Sequence, residues 1–210
     1  MKYEDFVRKF AQLPCIDLAT VVQTTEESRS AILMQLHRWA KTGRLIQLRR
    51  GYYILPEPYT TPNPALLANA MYAPSYLTSH WALSFYGMIP EHTVIYTSAT
   101  TRKPACFENP IGVFRYRNIK QSAFFGYRSI DLGGAKVMLA EPEKALLDLW
   151  HLMSGPWPTR RMEEMRFQNT ENVNAGKLEK YAEQMASPRI LRAVSAWIKM
   201  QSEEEGSYEL

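Results

Sequence analysis

The chain contains few of the residues that build disulfide frameworks or metal sites, since its 210 residues include only two cysteines. Cys15 and Cys106 stand alone, without the C-x-x-C or Cys/His spacing of zinc and redox sites. No apolar run approaches the roughly 18 residues of a membrane span. The first ten residues, MKYEDFVRKF, lack the apolar core of a signal peptide. We therefore expect a cytoplasmic protein with no membrane contact, no metal and no cofactor.

The chain also lacks a strong overall charge, but its modest surplus is unevenly distributed. With 46% hydrophobic and 22% charged residues, the composition is that of a soluble globular protein, and the net charge is +4. Residues 1–55 carry nine Lys/Arg against five Asp/Glu, whereas residues 56–210 carry sixteen of each. Such confinement of positive charge favours a nucleic-acid-binding segment. A surplus of four is also small enough to arise by chance.

The pattern from Glu26 to Leu55 predicts the DNA-contacting part of that segment. Ile32, Leu36 and Trp39 recur at helical spacing and share one face. Four polar residues are assigned to the opposite face, where they can bind phosphates or base edges: Arg29, Ser30, Gln35 and Arg38. Thr24 or Thr25 is the predicted cap, with Glu26 and Glu27 in the first turn. Gly43 then ends the helix.

Two short β-rich runs, 45–47 and 52–55, follow the helix and are joined through Leu48, Arg49, Arg50 and Gly51. A helix, a glycine stop and a hairpin with arginines at its tip are typical of a winged helix-turn-helix, in which the helix enters the major groove and the wing holds the DNA backbone. Two earlier helices, 3–13 and one capped by Asp17, complete that domain. The alternative is a plain helical domain with solvated arginines.

Prolines at 56, 58, 62 and 64 predict a stiff linker, so the expected domains are 1–56, a linker at 57–64, and 65–210.

The expected fold class is α+β. The second domain is predicted to be mixed α/β, with a small sheet and C-terminal helices. Its expected strands are 93–97, 113–117, 127–132 and 136–140, and the last two form a hairpin through Gly133-Gly134. The segment TTRKPACFENP between the first two strands is expected to be a polar loop.

Several stretches resemble one protein family when their order and spacing are taken together. They are the run from Ser75 to Pro90 (SYLTSHWALSFYGMIP), Thr101-Arg102-Lys103, Tyr116-Arg117 with Ile119, Pro142 to Asp148 (PEKALLD), and Arg50-Gly51-Tyr52-Tyr53. This arrangement, from about Asp17 to Met153, resembles the AbiEi-type antitoxins of type IV (abortive infection) toxin–antitoxin systems. Trp39 departs from the pattern, which more often has leucine there.

The resemblance implies a transcriptional repressor of its own operon that binds double-stranded DNA at inverted repeats. It also implies antitoxin activity of the second domain against a nucleotidyltransferase-like toxin encoded next door, without a tight complex necessarily forming. On this sequence the DNA contacts would fall on Arg29, Ser30, Gln35 and Arg38 in the helix and on Arg49 and Arg50 in the wing.

Other chemistry is possible on residue type alone. Ser79, His80 and Asp148 have the types of a hydrolase triad, but there is no G-x-S-x-G elbow. Asp131, Glu141, Glu143 and Lys144 suggest a metal-dependent nuclease, although the usual Glu-x-Lys on a strand is missing. His80, His92 and Cys106 lack metal-site spacing. We expect no enzyme; the alternatives are a stand-alone regulator that senses a ligand through an apolar pocket in its second domain, and the nuclease.

Overall fold

A computed structural model describes residues 1–59 and 63–208, with side chains described up to residue 203. These residues form a mixed α/β structure of nine α-helices, two short 3-10 helices and two β-sheets, one of three strands and one of six. Residues 60–62, the middle of the predicted linker 57–64, lie outside the described residues. Within the described part, no helix is long and apolar enough to cross a membrane.

The N-terminal part of the chain, up to Leu55, contains three helices and a small sheet. Its elements are α1 (Tyr3–Phe10), β1 (Ile16–Asp17), α2 (Leu18–Gln23), α3 (Arg29–Lys41), β2 (Ile46–Arg49) and β3 (Tyr52–Ile54). The strands are antiparallel in the order β1-β3-β2. Phe6, Phe10, Ile32, Leu36 and Trp39 are among the residues of a hydrophobic core that joins α1 to α3. Burial of these apolar faces is what holds such short helices in place.

The helix caps differ in part from those predicted. Asp17 caps α2 as expected, because its carboxylate accepts from the Thr20 backbone N–H at 3.0 Å. The prediction for α3 is wrong: its cap is Ser28, and Thr24 ends α2 instead. Glu26 and Glu27 therefore lie in the connection between the helices, and Arg29 is the first residue of α3.

The larger part of the chain contains a six-stranded sheet with helices on both faces. Its elements are α4 (Pro64–Met71), β4 (Ser75–Leu77), α5 (Ser79–Phe85), β5 (Ile95–Thr100), β6 (Ala105–Asn109), β7 (Gly112–Asn118), β8 (Tyr127–Leu132), β9 (Ala135–Ala140), α6 (Pro142–Leu152), α7 (Thr159–Glu164), α8 (Ala175–Met185) and α9 (Pro188–Tyr208). The strand order is β6-β7-β5-β4-β9-β8. Only the pairs β5–β7 and β4–β9 are parallel.

Two tyrosines show which helices cover the two faces of this sheet. Tyr116 donates its hydroxyl proton to the Ala68 carbonyl of α4 at 2.7 Å, whereas Tyr76 donates to Asp148 of α6 at 2.9 Å. Tyr76 lies in register with Ala99 and Arg117, the neighbour of Tyr116, so the two rings point to opposite faces. α4 therefore lies on one face of the sheet and α6 on the other.

The predicted sheet was too small. The segment expected to be a polar loop contains strand β6, which pairs with β7 from Ala105 opposite Tyr116 to Asn109 opposite Gly112. Pro104 and the polar residues around it conceal this edge strand. The predicted hairpin of β8 and β9 is confirmed.

The hairpin of β2 and β3 packs against the larger part of the chain. Leu48 and Ile54 belong to the same hydrophobic cluster as the six-stranded sheet. In addition, the Asn109 side-chain amide donates to the Leu48 carbonyl at 3.0 Å. The two predicted domains thus share a packed interface, and the hairpin is part of it.

His151, near the end of α6, makes the stability of the chain dependent on pH. Burial lowers its pKa, Asp148 opposes the shift, and Lys144, Arg189 and Lys120 add to it. The unfolded chain then binds more protons at this position once the pH falls below about 6.5. We expect the free energy of unfolding to fall between pH 7 and pH 5, because protonation of His151 favours the unfolded chain. Urea titrations across this range measure the loss.

His151→Gln should reduce this pH dependence, because the side chain no longer titrates. His92→Gln is the matched control, since His92 is exposed and should leave the dependence as it is. An identical pH dependence in wild type and His151→Gln would contradict the assignment to His151.

Candidate nucleic-acid interface

The helix α3 is held with one face buried and the other in solvent. Ile32, Leu36 and Trp39 are the buried residues. Ser28 caps the start, and Gly43, with φ +73°, follows the end in the left-handed conformation that glycine adopts at low cost. The predicted core face and helix end are therefore confirmed. A helix fixed in this way presents a defined outer surface.

The outer stripe of α3 is polar and cationic apart from one methionine. We use this name for five exposed residues at helical spacing: Ser30, Met34, His37, Arg38 and Lys41. Within the described part of the chain, neither Arg38 nor Lys41 forms an ion pair. The sequence prediction included Ser30 and Arg38 but missed Met34, His37 and Lys41. Successive residues of an α-helix are rotated by about 100° about its axis. Counting this angle from the buried residues would have identified these three positions as outward-facing.

Arg29 and Arg50 both line a cleft beside the outer stripe. The cleft has a volume of about 480 Å³ and lies between α2, the start of α3 and the turn after β2. Leu18, Leu33 and Tyr52 contribute to its lining, and Asp17 is the acid there. Asp17 already accepts hydrogen bonds from Thr20. Two exposed guanidinium groups on one cleft create a local positive potential suited to an anion.

Gln35, unlike the residues of the outer stripe, is not exposed. It is half-buried, and its Oε1 is 3.5 Å from the amine of Met1. At 3.6 residues per turn it is rotated by roughly 140° from Ser30. Gln35 is therefore directed away from Ser30, the first of the polar residues with which the sequence had grouped it.

Arg49, the first predicted wing arginine, is directed into the interface between the two parts of the chain. Its Nε donates to the Met71 carbonyl at 2.8 Å. Its guanidinium carbon lies 3.6 Å from the ring centroid of Tyr52 and 5.4 Å from that of Phe107. The pairing of β2 with β3 shifts register between Gln47 and Arg49, and such bulges redirect side chains. Arg49 is thus used for packing, and Arg50 is the exposed arginine of the turn.

The neighbouring arginines should have separate effects when replaced. Arg49→Ala removes a hydrogen bond from a charged group and the stacking on two rings, so we expect a loss of about 2 kcal/mol in the free energy of unfolding. Arg50→Ala, the matched control, should change it by less than about 0.5 kcal/mol. Chemical denaturation measures both. Equal losses in the two variants would contradict the described role of Arg49.

The residues of the possible hydrolase triad do not assemble. Ser79 Oγ is 3.4 Å from Nδ1 of the adjacent His80. The Asp148 carboxylate accepts from Tyr76 at 2.9 Å and from Thr78 at 2.7 Å, and it pairs with Lys144. It is therefore occupied by groups other than His80. Burial, with Asp148 as the next cause, raises the pKa of Tyr76 well above its ordinary value, so that hydroxyl remains a donor.

The residues of the possible nuclease site have separate structural roles. Asp131 is exposed and accepts from the Gly134 N–H in the β8–β9 turn at 2.7 Å. Glu141 and Glu143 both approach Lys177 of α8, at 3.0 and 3.4 Å. Lys144 is completely buried beside Asp148. Among the described residues no three His, Cys, Asp or Glu side chains are grouped so that they could hold a metal ion.

No protein-family model matches the chain, and no curated protein matches it either.

Proposed function

We propose that the chain is a cytoplasmic, double-stranded-DNA-binding transcriptional regulator whose residues 1–56 form a winged helix-turn-helix. Support comes from the element order α1-β1-α2-α3-β2-β3 and from the strand order β1-β3-β2. In this arrangement α3 is the recognition helix and the β2–β3 hairpin is the wing. The observation that carries the proposal is the outer stripe of α3, which is exposed, cationic and backed by a rigid buried face.

The proposed contacts fall into two groups. Ser30, His37 and Arg38 face outward from α3, the helix that would meet base edges in the major groove. Arg29 and Arg50 share the cleft beside α3 and would bind the same stretch of phosphate backbone. Lys41 would add a phosphate contact at the end of the helix. Arg49 and Gln35 are left out, because their side chains make contacts elsewhere.

The wing in this proposal is short. Only Arg50 and Gly51 separate β2 from β3, and the Gly51 carbonyl accepts from the Leu18 N–H at 2.8 Å. The turn is thus fixed to the start of α2 and cannot extend far along the DNA. Most of the affinity for DNA should therefore come from α3, including Arg29, and from Arg50 in the turn.

We further propose that this regulator is the antitoxin and autorepressor of a type IV toxin–antitoxin pair, with a nucleotidyltransferase-like toxin as its functional partner. The support is the sequence resemblance to AbiEi-type antitoxins, carried by Ser75–Pro90 and Pro142–Asp148 among other segments. The DNA-binding surface lies on α3, so toxin neutralisation is assigned to the remaining part of the chain, and the protein is proposed to have no catalytic role.

A paired assay in cells tests both halves. The full chain should repress a reporter driven by the DNA upstream of its own coding region. It should also relieve the growth arrest caused by the toxin encoded beside it. The Arg29→Ala/Arg38→Ala/Arg50→Ala variant should lose repression and keep rescue. Rescue that disappears together with repression would show that the roles of the two parts are wrongly assigned.

A further inference from the structure

Met34 is the one large apolar side chain on the outer stripe of α3. It is 70% exposed, although the helix buries three other apolar residues efficiently. Ser30, His37, Arg38 and Lys41 surround it at spacings of three, four and seven residues, and all four are exposed. Met34 therefore lies at the centre of a polar and cationic surface.

This surface is poorly suited to docking another protein. An apolar protein interface needs a contiguous patch, whereas the immediate neighbours of Met34 on the stripe are polar or charged. A single unbranched, flexible side chain among hydrogen-bonding groups fits a mixed surface better. The major groove is such a surface, because the 5-methyl group of thymine lies there among hydrogen-bond donors and acceptors.

We propose that Met34 packs against a thymine 5-methyl group in the major groove, so that the sequence recognised by each copy of α3 includes an A·T pair opposite the middle of the helix. This inference rests on the proposed DNA-binding function and deepens it by naming one base. Ser30 and His37 supply the hydrogen bonds on either side of the methyl contact. Arg29 and Arg50 set the position of the helix on the backbone.

The test uses the full chain and the DNA upstream of its own coding region, prepared once with thymidine and once with deoxyuridine throughout. The second DNA keeps every hydrogen-bonding group and lacks only the methyl groups. Wild type should bind it about fourfold more weakly if one half-site is occupied, and about fifteenfold more weakly if two half-sites are occupied. The measurement is Kd from fluorescence anisotropy at fixed salt concentration.

The variant Met34→Ala should bind both DNAs equally, because the alanine side chain is too short to reach the methyl group of thymine. Val94→Ala is the control, since Val94 is 78% exposed and lies outside α3. It should keep the full wild-type preference for thymine. Both positions are on the surface, so both variants should have the melting temperature of the wild type.

Three results would overturn the inference, and they can be told apart. Tight wild-type binding to both DNAs, with no weakening on deoxyuridine, removes the methyl contact and leaves the proposed function intact. A weakening on deoxyuridine that persists in Met34→Ala assigns the methyl contact to another residue. Failure of wild type to bind either DNA removes the proposed function together with the inference.

Discussion

Replacing Asp148 with alanine should lower the free energy of unfolding by about 3–5 kcal/mol, the usual result of leaving one partner of a buried ion pair alone. Asp148 and Lys144 are both completely buried, one turn apart on α6. The carboxylate also accepts the Tyr76 and Thr78 hydroxyl groups, which links α6 to the end of β4. The alanine variant leaves the buried Lys144 ammonium without its carboxylate partner and two hydroxyl groups without their acceptor.

Two further variants test whether the loss of stability comes from the burial of the ion pair and not from its spacing on the helix. Lys144→Met/Asp148→Ala should be less destabilised than the two single changes predict together, because no unpaired charge remains buried. Arg160 and Glu164 have the same spacing of four residues but are exposed. Glu164→Ala should therefore cost no more than about 0.5 kcal/mol. A denaturation midpoint for Asp148→Ala equal to that of the wild type would contradict this account of α6.

Replacing Arg29, Arg38 and Arg50 together with alanine should weaken binding to the upstream DNA by about a hundredfold for each bound copy, if each arginine contributes about 1 kcal/mol. All three side chains are exposed, and within the described residues none of them forms an ion pair. For every phosphate that is no longer bound, the slope of log affinity against log salt concentration should also become shallower by about 0.9. The two effects together distinguish phosphate binding from a general change in structure.

Lys136→Ala/Lys180→Ala/Arg192→Ala is the matched control for charge. These three cations are also exposed, but they lie on the larger part of the chain, so the variant removes the same charge elsewhere. It should retain the wild-type affinity within a factor of a few at physiological salt, where charges more than about 8 Å apart are largely screened. Equal reductions in affinity in the two triple variants would show that net charge, and not the surface of α3, determines affinity.

Local patterns predicted the elements whose cause is local. The helical spacing of Ile32, Leu36 and Trp39 predicted the buried face of α3, and Gly43 predicted its end. Gly133-Gly134 predicted the turn of the β8–β9 hairpin. Strand β6 was missed, because its pairing with β7 depends on a neighbour across the sheet and not on its own alternation.

Residues whose environment depends on distant contacts could not be assigned from sequence. Arg49 looks like a solvated wing residue until Met71 and Phe107 are brought against it. From sequence alone, Lys144 resembles a solvated lysine at the start of a helix. In the structure it is buried, as are its neighbours along α6. One sequence signal was available for Lys144: its spacing from Asp148 on a helix that is otherwise apolar there predicts a pair, although not its burial.

The candidate interface was predicted in outline and revised in detail. The helix and the cationic turn were anticipated, and Ser30 and Arg38 lie on the outer stripe. Choosing residues by polarity alone admitted Gln35 and excluded Met34, although helix geometry separates the two. The residues on the outer face of α3 are determined by their angle around the helix axis and not by their polarity. An apolar residue such as Met34 can therefore belong to the proposed interface with DNA.

The most direct test of the central claim is the affinity of the full chain for the DNA upstream of its own coding region, compared with scrambled DNA of equal length and composition at physiological salt. A winged helix-turn-helix regulator should bind its own upstream DNA at least about a thousandfold more tightly. Equal affinity for the two DNAs would contradict the proposal that this chain is a sequence-specific DNA-binding regulator.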